Sequence, residues 1–226
     1  MEKIEQLPSF NLFGYDFQIT LSLITQWVII LLLSLLIAFI NRNLKKIPDK
    51  KQSVVEIFVE FVGKTVEQTM GKSYKNFIPY IGTLGIYLLS MNIVGIFGIK
   101  PPTTDYSVSL GMGLTTFVVI QGYTIKKAGL IQYFNGYAKP MPLLLPVNIM
   151  ERIMLPVSLS LRLFGNMFAA TIIMELVYGA LGSITWVAQL GVPIPLHMYF
   201  DLFDGTIQMV IFVMLTMINI LIISEH

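Results

Sequence analysis

Arg162 is the first residue whose chemistry stands out. It is the lone charge between Ile153 and Met174, a run longer than the roughly 20 apolar residues that carry a helix across a bilayer. A charge at the centre of such a helix costs about 2.5–3.5 kcal/mol on insertion scales. The guanidinium cannot escape by deprotonating, because its pKa lies above about 12. It must face protein, water or a counter-charge. The plain alternative is a snorkelling anchor at the membrane surface, but apolar sequence continues for about ten residues on both sides.

Groups able to exchange protons gather nearer the C-terminus. At about 100° per residue, His197, Asp201, Asp204, Gln208 and Asn219 fall within about 60° on one helix face. Polar groups inside a span are expensive, and they usually face a pathway or a partner. Acids and histidine pass protons to water and to each other. His197 and Asp201 also have a plainer reading as interfacial residues near the helix start. Asn166 shares the Arg162 face, whereas Glu175 lies about 20 Å further along and nearly opposite. Glu151 and Arg152 begin the arginine stretch. Glu151 is an outlet candidate or a simple interfacial acid; Arg152 reads equally as a surface anchor.

The elements that must position these groups are membrane helices. The chain has 226 residues, 55% of them hydrophobic and 12% charged, against about 25% charged in soluble domains; its mean hydropathy is +0.73. The net charge of +2 comes with no basic tract that would suggest nucleic acid. Without cysteine there is no disulfide, thiolate metal site or cysteine nucleophile; no metal site or cofactor is expected. The 13 methionines read as packing. The fold class expected is an all-α integral membrane protein of about five spans plus one amphipathic helix on the cytoplasmic side.

Residues 1–20 form an outer N-terminal segment without the basic start of a signal peptide. Spans are expected over 21–40, 77–99 and 107–125, with an interfacial helix over 53–70. In that helix Val54, Ile57, Phe58, Phe61 and Val62 share a face, and Glu60 and Lys64 are spaced to pair. Its alternative is a solvated helix against a soluble partner. Arg42, Lys45, Lys46, Lys50 and Lys51 follow the first span, Lys126 and Lys127 end the third, and Lys139 comes after. By the positive-inside rule these mark the cytoplasmic side, with the N-terminus outside. The prolines of Lys100-Pro101-Pro102-Thr103-Thr104-Asp105 enforce an outer turn.

Residues 142–181 and 194–223 are expected to form a long tilted hairpin that leaves the C-terminus cytoplasmic. The connection holds no Lys or Arg, as an outer loop should. An apex near residue 185 would set Arg162 opposite Gln208, and Glu175 opposite the turn at His197. The charge would then gain a neutral neighbour and no cancelling carboxylate. Such an arrangement admits a cation part-way and hands it to a carboxylate on another subunit.

With these residues in view, Ser158-Leu159-Ser160-Leu161-Arg162-Leu163-Phe164-Gly165-Asn166-Met167 resembles the most specific motif of the F-type ATP synthase subunit a family. Asn92-Ile93-Val94-Gly95, Pro101 through Asp105, and Gln208 through Thr216 are similar to further family segments, and the resemblance spans roughly 20–226. It implies a static membrane subunit beside a rotating c-ring and the b subunits of a peripheral stalk, in a bacterial inner membrane. Arg162 would ionise the c-ring carboxylate and stop leakage between two offset half-channels, with Asn166 and Gln208 around it, and ion flow would drive ATP synthesis elsewhere. The subunit itself would not be catalytic. The family often carries an acid and a histidine nine residues after the arginine and seven before the glutamine; here those places hold Thr171 and Asp201. Glu175, Asp201 and His197 are therefore expected to share the inlet. H+ and Na+ both remain open. The rival is a secondary ion transporter, which usually shows repeats and broken helices; neither is visible. An intramembrane enzyme lacks its H-E-x-x-H or G-x-S-x-G motif.

Overall fold

A computed structural model describes residues 9–12, 15–18, 20–42, 49–130, 133, 143, 145–183 and 191–225. Among the described residues, five helical segments are long and apolar enough to cross a membrane: Leu21–Ile40, Lys72–Phe97, Tyr106–Ala128, Leu145–Gly182 and Pro193–Ser224. The protein is an all-α integral membrane protein, with one addition that the sequence reading assigned no structure. Strands β1 (Ser9–Leu12) and β2 (Tyr15–Gln18) pair antiparallel, Ser9 opposite Gln18.

Helix α1 (Leu21–Asn41) is apolar almost throughout and largely exposed, as suits a lipid-facing span. Helix α2 (Lys50–Met70) carries the expected Glu60–Lys64 pair at 2.8 Å. Its buried face is Val62, Val66 and Met70, while Val54, Ile57 and Phe61 are exposed. Only the C-terminal half of the helix docks on the core, and most of the expected apolar face stays exposed, as an interfacial helix requires.

Gly71 ends α2 at φ 92°, a conformation that costs glycine little. A 3-10 turn (Lys72–Phe77) leads into α3 (Ile78–Ile93), which tightens to 3-10 winding over Val94–Phe97. The span expected over 77–99 is therefore α-helical from Ile78 to Ile93 and more tightly wound beyond. After the paired prolines, another 3-10 turn (Pro102–Thr104) is buried, and Asp105 caps α4 (Tyr106–Ala128) by accepting from Ser107 N at 3.0 Å.

Helix α5 (Leu145–Gly182) runs unbroken for 38 residues despite Pro156. It is about 57 Å long, nearly twice the hydrocarbon layer, so it must cross obliquely. The expected apex near residue 185 lies outside the described residues. The chain returns through α6 (Pro193–His197), a π-helical segment (Met198–Asp204) and α7 (Gly205–Glu225). Lys45, Lys46 and Lys139 also lie outside the described residues.

The core sits where α2, α3, α4, α5 and α7 meet: Val66, Leu88, Met91, Ile120, Leu163 and Met217 are almost wholly buried. Helix α4 reaches α5 closely at Gly113, where a Cβ would lie 2.7 Å from Pro156 O. At the other end Lys127 Nζ donates to Ser224 O (3.0 Å) and Tyr74 OH (3.2 Å), and Tyr74 OH shares a 2.7 Å hydrogen bond with Ser224 Oγ. A cation thus satisfies a terminal carbonyl of α7 and ties three elements together.

Candidate functional site

The buried side of α5 is Leu159, Leu163, Met167, Ala170 and Met174, a helical stripe that packs into the bundle. This stripe turns Arg162 and Asn166 outward, and both are exposed. Arg162 lies midway along α5, and among the described residues no hydrogen bond or ion pair reaches it. Asn166 Nδ2 donates to Gln208 Oε1 at 2.7 Å. Gln208 is 1% exposed, and its Nε2 has no partner among the described residues. The hairpin register is therefore corrected by about one helical turn: Asn166, not Arg162, meets Gln208. The π winding before α7, which inserts residues relative to an α-helix, is a feature the uniform projection omitted.

Asp201 lies within that π segment and is 6% exposed. Its Oδ2 is 2.6 Å from His197 Nδ1, and Tyr178 OH on α5 is 3.1 Å from His197 Nε2. The carboxyl group rests against Gly95, where a Cβ would lie 2.6 Å from Asp201 Cγ. Hence His197 and Asp201 come together as expected, but Glu175 does not join them. It is exposed, and the residue that meets His197 is Tyr178, one turn later. The expectation that Glu175 faces the His197 turn is corrected by the same register shift.

Asp204 and Asn219 are half-buried, and Glu151 is exposed. The single polar face thus resolves into a buried pair, Asp201 and Gln208, flanked by half-buried His197, Asp204 and Asn219. Near Glu151, Arg152 Nη1 (3.2 Å) and Tyr133 OH (2.8 Å) both donate to Gln121 Oε1. Arg152 is thereby placed inward on α4, in contrast to a free surface anchor.

The start of α7 is held by a buried polar chain. Asn92 Nδ2 donates to Gly205 O (2.9 Å), Thr103 Oγ1 to Asn92 Oδ1 (3.2 Å), and Ser109 Oγ to Thr103 O (3.0 Å). Asn92 and Thr103 are fully buried, so each bond satisfies a group that would otherwise be costly to desolvate. Gly205 allows this approach, since a Cβ there would stand 2.9 Å from Asn92 Cβ. Asn92 and the Pro101–Asp105 turn are visible in the sequence, but what they hold is not. Among the described residues no group of three or more His, Cys, Asp or Glu could hold a metal ion.

A polytopic helical bundle with a lone cation exposed mid-span, and a buried acid beside a histidine, belongs to the class of membrane proteins that move small ions. A family model described as ATP synthase A chain matches residues 23–220. The chain belongs to that family, and is thus an ion-transporting component of the membrane (Fo) sector of an ATP synthase. It is 35% identical over 222 residues to the sodium-ion-specific ATP synthase subunit a of Propionigenium modestum, covering 91% of this chain and 74% of the relative. It is also 35% identical to ATP synthase subunit a of Moorella thermoacetica, covering 86% of each chain. The identity to the Staphylococcus aureus subunit a is 35%, covering 96% of each chain.

Proposed function

We propose that this chain is the non-catalytic stator subunit that passes ions to and from a carboxylate on a rotating c-ring, through two offset half-channels. The observation that carries the reading is Arg162: a permanent cation at mid-helix, turned out of its own bundle and without a partner among the described residues. A fixed charge so placed favours the ionised form of an acid brought against it from another subunit. It also repels a cation that would slip past. Asn166, hydrogen-bonded to Gln208, holds a neutral polar edge on the same face.

Asp201 and His197 serve the outer half-channel, with Asp204 lying between them and Gln208. Glu151 stays an outlet candidate at the other end of α5, and Glu175 an acid near the outer mouth. In this reading the N-terminus is outside, the C-terminus is cytoplasmic, the membrane is a bacterial inner membrane, and b subunits bind from the peripheral stalk. A secondary transporter would need a coupling carboxylate at mid-membrane on this chain; Arg162 occupies that depth instead.

The test is Arg162→Gln in the assembled ATP synthase. ATP-driven ion pumping and ion-driven ATP synthesis should both fall to background, while the soluble head still hydrolyses ATP. Coupled synthesis that survives the substitution would overturn the assignment.

A further inference from the structure

We propose that the groove between α4 and α5 holds an anionic phospholipid, its phosphate gripped by Arg152 and Gln121 near the lysine-bearing end of α4. The site stands about 15 Å along α5 from Arg162. Arg152 also projects about 100° around the helix from its neighbour Glu151, so it is separate from the outlet candidate.

Two donors converge on one oxygen. Arg152 Nη1 (3.2 Å) and Tyr133 OH (2.8 Å) both donate to Gln121 Oε1, and Arg152 Cζ lies 5.6 Å from the centre of the Tyr133 ring. This pairing fixes the amide, because turning it over would set its NH2 group against two donors. Gln121 Nε2 is then left without an acceptor among the described residues, although the residue is only 7% exposed. Burying an unsatisfied amide nitrogen is costly, so it marks a place for an acceptor. Arg152 narrows the choice. A guanidinium presents five donors in a fork, and one carboxamide oxygen takes only one of them. Donors on two sides and a permanent positive charge call for a negative group rich in oxygen. Closing on a phosphate needs only side-chain movement, since Arg152 and Tyr133 are both half-buried.

The membrane supplies such a group at this depth. Gln121 stands seven residues before the end of α4 at Ala128, and Arg152 seven after the start of α5 at Leu145. That is about 10 Å along either helix, and less in depth along the oblique α5. The Arg152 side chain leans toward the N-terminus of its own helix, and so toward the membrane surface. Lys126 and Lys127 end α4 on the same side. Basic pockets between membrane helices at such a level take anionic headgroups. Deeper in the bilayer, Val118 and Leu114 lie one and two turns from Gln121, within about 60° of it around α4, and both are exposed. They give an acyl chain an apolar bed below the phosphate, which a free phosphate ion would leave unused.

The experiment uses the complete ATP synthase, delipidated in mild detergent and incubated with phosphatidylglycerol that carries a photoreactive group midway along one chain. Illumination should label the α4 peptide that contains Leu114 and Val118. Excess plain phosphatidylglycerol should displace the label, whereas phosphatidylcholine of the same chains and inorganic phosphate should not. Arg152→Gln should lower labelling of that peptide about tenfold, as loss of a charge-assisted contact predicts. Arg152→Lys should keep most of it, with assembly and ATP hydrolysis unchanged in both. Equal displacement by phosphatidylcholine would make the occupant ordinary boundary lipid and overturn the proposal. Displacement by inorganic phosphate would make the site one for a free anion, with the same result. An unlabelled α4 peptide would mean that a neighbouring subunit covers the groove, and unchanged labelling of Arg152→Gln would remove the arginine; either sinks the assignment. Should Arg152→Gln fail to assemble, the competition in the unaltered complex decides alone.

Discussion

At Asp201 a carboxyl group rests on the bare α-carbon of Gly95, and this contact decides where the acid can stand. Adding one methyl group at residue 95 would place carbon 2.6 Å from both Cγ and Oδ1 of Asp201. Overpacking of this kind costs about 1–3 kcal/mol, and the flexible side of the contact is the carboxyl group. Gly95→Ala should therefore displace Asp201 and loosen its 2.6 Å link to His197, leaving the α3 backbone in place. The expected result is an assembled complex with normal ATP hydrolysis but pumping slowed several-fold; wild-type pumping would mean that the close contact is dispensable. Individual residues were legible in the sequence where their cost was intrinsic. A guanidinium in lipid is expensive whatever surrounds it, so Arg162 stood out alone. Tyr178 and Gly95 carry no such signature, because a tyrosine near a span end and a glycine in a helix are both ordinary. Their roles exist only once α3, α5 and the π segment meet.

Elements were legible wherever apolar length alone defined them, and less so where winding or docking did. The first and third spans matched their expected limits closely, since an apolar run of about 20 residues has few alternatives. The π winding around Asp201 was hidden, because nothing in a uniform periodicity marks a local gain of a residue. Helix α2 shows a second kind of limit: its apolar stripe was visible, but which half docks depends on the neighbouring elements. Part of that docking is electrostatic. Glu67, near its end, lies 2.8 Å from Lys75 in the turn before α3. The hydrogen bond from Lys75 holds the Glu67 carboxyl below its ordinary value of 4.5, against a smaller opposing effect of desolvation. A group whose folded value is lowered contributes stability above its unfolded value and loses it as pH falls through the folded one. The junction should therefore be unchanged from neutral pH down to about 4.5 and loosen below it. Hydrogen exchange of α2 in detergent should show faster exchange at its C-terminal end in acid. Glu67→Gln should give that exchange at every pH; an acid response that persists in Glu67→Gln would assign it elsewhere.

For the whole molecule, the direction in which the bundle stands in the membrane sets the role of each end, and the sequence supplies a clean means to read it. Positive charges at Lys72, Lys126 and Lys127 fall at one end of the bundle's helices, whereas the turn before α4 and the end of α5 have few. The positive-inside rule places the first group in the cytoplasm. In the proposed orientation the outer end of the bundle is the one that holds Tyr178, His197 and Asp201, with Glu151 at the opposite end of α5. Orientation therefore decides more than bookkeeping of termini: it determines whether the acid–histidine pair is an inlet or an outlet during synthesis. The chain contains no cysteine, so single substitutions report without background. In intact cells a membrane-impermeant thiol reagent should label Lys100→Cys and Ser183→Cys. Lys72→Cys and Lys126→Cys should react only in inverted vesicles. Labelling of the second pair from outside would reverse the bundle and place Asp201 on the cytoplasmic path, while the mid-helix position of Arg162 would stand in either orientation.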